Sequence, residues 1–315
     1  MPAAARVDPK DFFSPEEWAP LTARSNWKGL ALVAHAWGVI LLAAAAGTLV
    51  PWLIPLSVMV IGTRQLGLAI LMHEAAHGGL HPNRRLNDFL GHWLCAVPLG
   101  ASLNTYRPYH LTHHKFAQQP EDPDLVLSAP FPVTRASLRR KIVRDLTGQT
   151  FFRQRIAPLF AKSGAAPSED LPEGAVITAQ TRARTLLAFL ALNAAAILVL
   201  SLLGLWWAWF AFWLLPLATW FPLVTRLRNI AEHAVTPDPN DPLRHARTTR
   251  ANWLERAFIA PYWVNFHCEH HMFMYLPCWS LPKAHRLLGE KGVWPRMEVR
   301  EGYWEVLRAA SSMRS

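Results

Sequence analysis

Between Gly29 and Ile61 the chain carries no charged side chain, and the apolar run is broken only around Val50-Pro51 and Pro55. A helical bilayer crossing takes roughly 20 apolar residues. The run therefore predicts one crossing and most of a second, which continues through Arg64 and Gln65 to about Met72. A second uncharged run goes from Thr185 to Thr225, with a break near its middle at Ser201 to Gly204. The pattern predicts four spans in two helical hairpins, at about 30–50, 52–72, 185–203 and 205–225. The stretch from Leu86 to Leu103 is shorter and contains Asp88 and His92, which marks it as an interfacial or partly buried helix and not a fifth span.

Composition agrees with lipid contact: of 315 residues 51% are hydrophobic and only 17% charged. A net charge of +10 suits nucleic acid or an anionic membrane surface, and the placement of the charges decides between them. Neither predicted hairpin turn carries a Lys or Arg, and the three polar segments hold essentially all 32. Because basic residues stay on the cytoplasmic side, residues 1–28, 73–184 and 226–315 are expected to face the cytoplasm as a helical cap. The run from Arg135 to Arg155 interleaves Leu138, Ile142, Val143 and Phe151 with arginines, as in a helix lying on anionic lipid. No nucleic-acid module surrounds those arginines, so nucleic acid is not an expected partner. Ser163 to Gln180, rich in Pro and small residues, reads as a linker. Three irregularly spaced cysteines imply no disulfide framework, and the first residues lack the apolar core of a secretory signal. Trp206, Trp207, Trp209, Trp213 and Trp220 are expected in an interfacial belt, and Arg64 is expected to snorkel to the interface.

Ten of the fourteen histidines fall in four places. His73, His77 and His81 recur every four residues where the second span ends. His110, His113 and His114 form HLTHH, Asn229 and His233 follow the fourth span in NIAEH, and His267, His270 and His271 form HCEHH. On a helix, positions i, i+3 and i+4 share a face, so each H-x-x-H-H triplet is expected to aim three imidazoles at one point. His35, His92, His245 and His285 are isolated and read as ordinary structural histidines. HEAAH alone matches the H-E-x-x-H motif of zinc proteases. Zinc is normally four-coordinate, however, so eight or more converging imidazoles imply at least two metals. Imidazole suits iron, copper and zinc alike.

HEAAH, HLTHH and HCEHH, in this order and around an intervening hydrophobic hairpin, resemble the three histidine boxes of the membrane fatty acid desaturase and hydroxylase superfamily, over about residues 27 to 290. The resemblance implies one membrane-embedded all-α domain over residues 1–315, with a non-haem centre of two iron ions that uses O2 as co-substrate to attack an unactivated C–H bond of a lipid. It makes His73, His77, His110, His113, His114, His233, His267, His270 and His271 iron ligands, with Asn229 ligating through water. Glu74, Asp122, Asp124, Glu232 and Glu269 become candidates to hold the ligands' second N–H. His81 departs from the common first box and resembles that of carotenoid ring hydroxylases. On an unbroken helix it would lie about 12 Å along the axis from His73, so a supporting role is expected of it. No flavin fingerprint or iron–sulfur cysteine pattern is present, which implies an external ferredoxin, rubredoxin or cytochrome with its reductase. The expected protein is an acyl-lipid desaturase of a bacterial inner membrane, with its site on the cytoplasmic side. The alternatives are a carotenoid or other lipid ring hydroxylase or ketolase and, from another class, a membrane zinc protease.

Overall fold

A computed structural model describes residue 4 and residues 6–160 and 179–313. The predicted linker, Ser163 to Gln180, lies outside the described residues except for its last two positions. Four helices are long and apolar enough to cross a membrane: Lys28–Leu49, Pro51–Ala76, Gln180–Leu202 and Trp206–His233. We number the helices that position the site α1 (Lys28–Leu49), α2 (Ile54–Ala76), α3 (Leu103–Phe116), α4 (Arg135–Leu146), α5 (Ala179–Leu202), α6 (Trp206–His233) and α7 (His267–Met272).

Helix α2 is the centre of the fold. From Ile61 to Ala76 every residue except Ala69 is buried, because α1, α3, α6 and the helical stretch Leu90–Ala96 all pack against it. Close approach needs small residues there: a Cβ on Gly67 would come within 2.6 Å of the Tyr262 ring. Burial also changes the fate of Arg64. It does not snorkel; its Nη2 donates to the carbonyl of Ala257 at 3.0 Å, while Gln65 Nε2 donates to the carbonyl of Trp213 at 2.9 Å. A buried polar group is costly unless protein supplies its hydrogen-bond partner. The peripheral helices show the opposite pattern. α1 turns Leu41, Leu42 and Leu49 outward, and α5 does the same with Leu187, Leu198 and Leu202. Such outward apolar surface is stable against lipid and costly against water.

Both central helices outrun the expected span ends. α2 continues to Ala76 and stops where Gly78 takes φ 71°, a left-handed helix end that glycine adopts without strain. α6 has no Gly after Trp206 and reaches His233. His73, Asn229 and His233 therefore ride on the long helices themselves and not on the chain after them. The segment Arg84–Leu99 forms short helical turns against α2 with Phe89 and Trp93 half exposed, as its mixed pattern suggested.

Helix α4 begins at Thr134, whose side chain accepts from the backbone N–H of Ser137. Its apolar stripe faces the protein more than a lipid surface. Leu138 is buried, and Ile142 and Phe151 pack on the core, leaving Val143 exposed. Asp145, fully buried, accepts from Arg226 at 2.5 and 2.9 Å and ties α4 to α6.

The fold is not wholly helical. Strands β1 (Thr248–Arg250) and β2 (Val299–Glu301) pair in parallel. Thr249 N–H also donates to the carbonyl of Asn265 at 2.9 Å, which fixes the chain just before α7. Three-residue strands leave no alternating pattern long enough to read. On the other side of α7, Phe12, Phe13 and Trp18 pack edge-on or stacked around Phe273 and one another, with centroids 5.2–5.8 Å apart.

Candidate metal centre

α2 and α6 deliver His73, His77 and His233 from the long helices, while α3 and α7 bring the two H-x-x-H-H triplets over their ends. The histidines meet in two groups whose ligand atoms lie within 4.8 Å of one another: His73, His77, His110, His114 and His270 in one, His113, His233, His267 and His271 in the other. This corrects the expectation that each triplet converges on one point. In α3 the i and i+4 members, His110 and His114, join the first group and His113 the second; in α7, His267 and His271 join the second and His270 the first. The i+3 position lies about 300° around the helix and i+4 about 40°, so the i, i+4 pair stays aligned while i+3 turns to the neighbouring point.

The Nε2 atoms approach one another closely within each group. His77 Nε2 is 2.9 Å from His110 Nε2, and His114 Nε2 is 3.0 and 2.9 Å from those of His110 and His270. In the second group, His267 Nε2 lies 3.0 Å from His233 Nε2 and 3.1 Å from His271 Nε2, and His113 Nε2 lies 3.2 Å from that of His271. The opposite ring atoms assign the tautomers. His113 Nδ1 donates to Asp122 Oδ1 at 2.7 Å, His233 Nδ1 donates to the carbonyl of His245 at 3.1 Å, and His267 Nδ1 faces Glu232 Oε1 at 3.3 Å. With the proton on Nδ1, the three Nε2 atoms turn lone pairs toward a common point, an arrangement that repels unless a cation sits between them. In the first group, His73 Nε2 is buried with no hydrogen-bond partner. The donor chemistry thus fits a metal ion in each group.

Burial keeps these rings neutral and able to ligate. It pushes His110, His114, His267, His270 and His271 well below the ordinary imidazole value. Burial, then the charge of Arg24, takes His77 down to about 3. Burial also pulls on His113, but the hydrogen bond to Asp122 and the charges of Asp124 and Asp122 outweigh it and leave it raised.

Not every predicted carboxylate reaches a ligand ring. Asp122 holds His113 and also accepts from Gln118 N–H at 2.8 Å, while Asp124 stands 3.8 Å behind and accepts from Tyr109 Oη. Glu232 bridges His267 and Arg228. Glu269 faces away from the clustered rings, accepting from His285 Nδ1 at 2.5 Å and from Thr248 Oγ1, so it braces α7 from behind. Glu74 makes no hydrogen bond to an imidazole among the described residues; its Oε1 is buried without a partner against Gly79. Asn229 lines a cavity of about 30 Å³ with His110, His113, His233 and His267. His81 is in neither group. Past the Gly78 turn its Nδ1 accepts from Asn83 N–H at 2.9 Å. Two isolated histidines prove to be neighbours of the site. His285 is the partner of Glu269, and His245 lies with both ring nitrogens unpartnered and its centroid 5.4 Å from that of His271. Neither has a local spacing that could have announced it.

A helical protein with four apolar helices long enough to span a bilayer, carrying five and four histidines to two adjoining points, is the class that these features define. The chain belongs to the fatty acid desaturase family, whose model matches residues 50–302, and it is accordingly an integral membrane oxidoreductase. It is 27% identical over 244 residues to the dihydrorhizobitoxine desaturase of Bradyrhizobium elkanii, across 75% of this chain and 68% of that protein. It is 34% identical over 94 residues to a chloroplastic sn-2 acyl-lipid omega-3 desaturase (ferredoxin) of Helianthus annuus, across 29% of this chain and 21% of that protein.

Proposed function

We propose that the chain is a di-iron, O2-dependent desaturase that introduces a double bond into the acyl chain of a lipid. The observation that carries this reading is the division of nine buried or half-buried histidines into groups of five and four around two adjacent points. His73, His77, His110, His114 and His270 would hold one iron. His113, His233, His267 and His271 would hold the other, with Asn229 beside it. Iron in this ligand field supplies the oxidising power to take hydrogen from an unactivated C–H bond. The chain's own groups do the rest. Asp122 and Glu232 hold Nδ1 protons and so aim Nε2 of His113 and His267 inward. Arg228 balances the Glu232 carboxylate at 2.5 Å. The enclosing helices keep bulk water from the reacting bond.

Nine imidazoles exceed what one zinc takes, which argues against a protease built on HEAAH. The position of His81 outside both groups favours acyl desaturation over the ring hydroxylase that its spacing suggested. The proposed arrangement is a single domain of two hairpins with a cap facing the cytoplasm of a bacterial inner membrane. Its electrons come from an external ferredoxin, rubredoxin or cytochrome with its reductase. A ferredoxin is favoured by the plant relative's name and by a net charge of +10, which suits an acidic donor. The test is fatty-acid analysis of cells expressing the chain beside a His113→Ala control. New double bonds with the former and none with the latter are expected; new hydroxylated pigment in place of new double bonds would overturn the assignment.

A further inference from the structure

Beside the metal centre lies a cavity of about 490 Å³ whose chemistry the histidines do not explain. Its lining combines apolar side chains, Leu127 and Phe131 among them, with Lys141, Arg144, Arg153 and Arg226. Of these cations only Arg226 is neutralised, by buried Asp145. Lys141, Arg144 and Arg153 make no hydrogen bond or ion pair among the described residues, and no carboxylate lines the cavity. Burial, then the charges of Arg226 and Arg144, pull the Lys141 ammonium below its ordinary value against the opposing charge of Asp145. Three unpaired cations in one concavity repel each other until an anion joins them. The cavity also adjoins the site: Leu127 and Asn229 line both it and the small cavity against His110, His113, His233 and His267. Its volume is that of a small-molecule pocket and not of a flat protein-docking face.

We propose that this cavity receives a phosphate-bearing headgroup of the desaturase substrate, whose apolar part passes Leu127 and Asn229 toward the histidines. The proposal rests on the desaturase reading above and adds the substrate class: an acyl chain carried on a phosphate ester, as opposed to a neutral hydrocarbon. Arginine forks and an ammonium match the oxygens of a phosphate, and the apolar part of the lining suits the first carbons of the chain. The outer arginines of α4, Arg139 and Arg140, line a second hollow, which shares Arg144 with the first but neither Lys141 nor Arg153, and serve as a control for general attraction to anionic lipid.

The test measures equilibrium binding of radiolabelled tetradecyl phosphate to the purified, metal-containing full chain in a neutral detergent, without reductant so that nothing turns over. The Lys141→Gln/Arg153→Gln variant is expected to bind roughly tenfold or more weakly, since each removes a charge-assisted contact, while its metal content and elution profile stay those of the unaltered chain. Lys141→Arg/Arg153→Lys, which keeps the charge, is expected to retain binding. So is Arg139→Gln/Arg140→Gln, which weakens only adhesion to vesicles containing anionic phospholipid. Tetradecanol and inorganic phosphate are each expected to compete poorly. Four results would overturn the proposal: undiminished binding by the Lys141/Arg153 variant, equal competition by tetradecanol, equal competition by inorganic phosphate (a free-anion site), or equal weakening by the Arg139/Arg140 variant (a membrane-surface effect). Because no turnover is read, absence of desaturation in cells would sink the functional reading without touching this binding result, and the reverse.

Discussion

His114 Nε2 lies 2.9 Å from His270 Nε2 although 156 positions separate the two residues. Each sits on a short helix, α3 or α7, that contributes imidazoles to both groups. The two helices are therefore cross-linked through two points, and a metal in either group would hold α3 to α7. Two metals bound this way would act on one piece of architecture while keeping separate ligand sets.

The separateness can be measured. The unaltered chain is expected to carry two irons, and His270→Ala to lose the iron of the five-histidine group, whose donor set it opens, while the second group keeps all its own histidines and its iron. Turnover should be lost while membrane insertion and helix content persist, since neither depends on α7. Elemental analysis per chain with circular dichroism checks this; a His270→Ala protein holding two irons and working normally would remove the basis of the assignment.

Support of a ligand ring from behind has its own signature. Asp122→Asn keeps the shape but replaces the carboxylate that accepts from His113 Nδ1 at 2.7 Å. Metal affinity of the four-histidine group is expected to fall by about 10–100-fold, the usual effect of losing such a partner, with the five-histidine group unchanged. Competition titration against a chelator of known affinity resolves the two sites; an equal loss at both would show that Asp122 acts on the fold and not on one ring.

Much of this was legible in the chain because lipid and metal each impose a local pattern. Uncharged runs marked the spans within a few residues, except where α2 and α6 continue beyond the apolar stretch for want of a breaking residue before Gly78 and Ala234. The histidine spacings marked the residues that gather in the two groups, but not how the triplets divide, which follows from how α3 faces α7 across 156 positions. The supporting groups were the least legible. Glu269 reads as part of a ligand motif yet serves His285 and Thr248. The carbonyl that fixes His233 belongs to His245, and a backbone atom leaves no trace in a sequence. The cationic cavity escaped for a similar reason, since it gathers charges from α4, the turns after it and α6.

Acid should destabilise the metal-free protein. The rings of His110, His114, His267, His270 and His271 are lowered by burial, and His77 stands at about 3. The unfolded chain takes up protons at about 6.5 while the folded chain does not. Their contribution is therefore complete above about 6.5 and is lost as pH falls toward the folded values. His113, raised by its carboxylates, works in the opposite sense: its contribution is present in acid and lost as pH rises through its folded value. It is one group against six, so the net slope is a fall in acid. Chelator-treated protein in neutral detergent is expected to show a lower unfolding temperature at about pH 5 than at about pH 8; a flat or inverted profile would mean the rings are not held neutral.

Orientation follows from the basic segments. Lys10→Cys, Arg140→Cys and Arg286→Cys variants should all resist an impermeant thiol reagent in intact bacterial cells and react once the membrane is opened. The native thiols Cys95, Cys268 and Cys278 are buried, so background labelling is low. Labelling at position 140 alone in intact cells would place the two sides of α4 differently and require another count of spans.

The sharpest test contrasts two histidines of the same sequence stretch. His77 caps α2 and its Nε2 lies 2.9 Å from that of His110, inside the five-histidine group. Four residues on, His81 would have continued the same helical stripe, but Gly78 at φ 71° ends the helix first, and the His81 ring turns back to cap Asn83 N–H at 2.9 Å. His77→Ala is therefore expected to lose one iron and all turnover. His81→Ala should keep both irons and measurable activity, with a stability loss on the order of 1 kcal/mol for the missing turn hydrogen bond. Metal content separates the two roles without reference to substrate. Loss of an iron from a folded His81→Ala protein would bring this residue into the metal site and reopen the ring hydroxylase alternative.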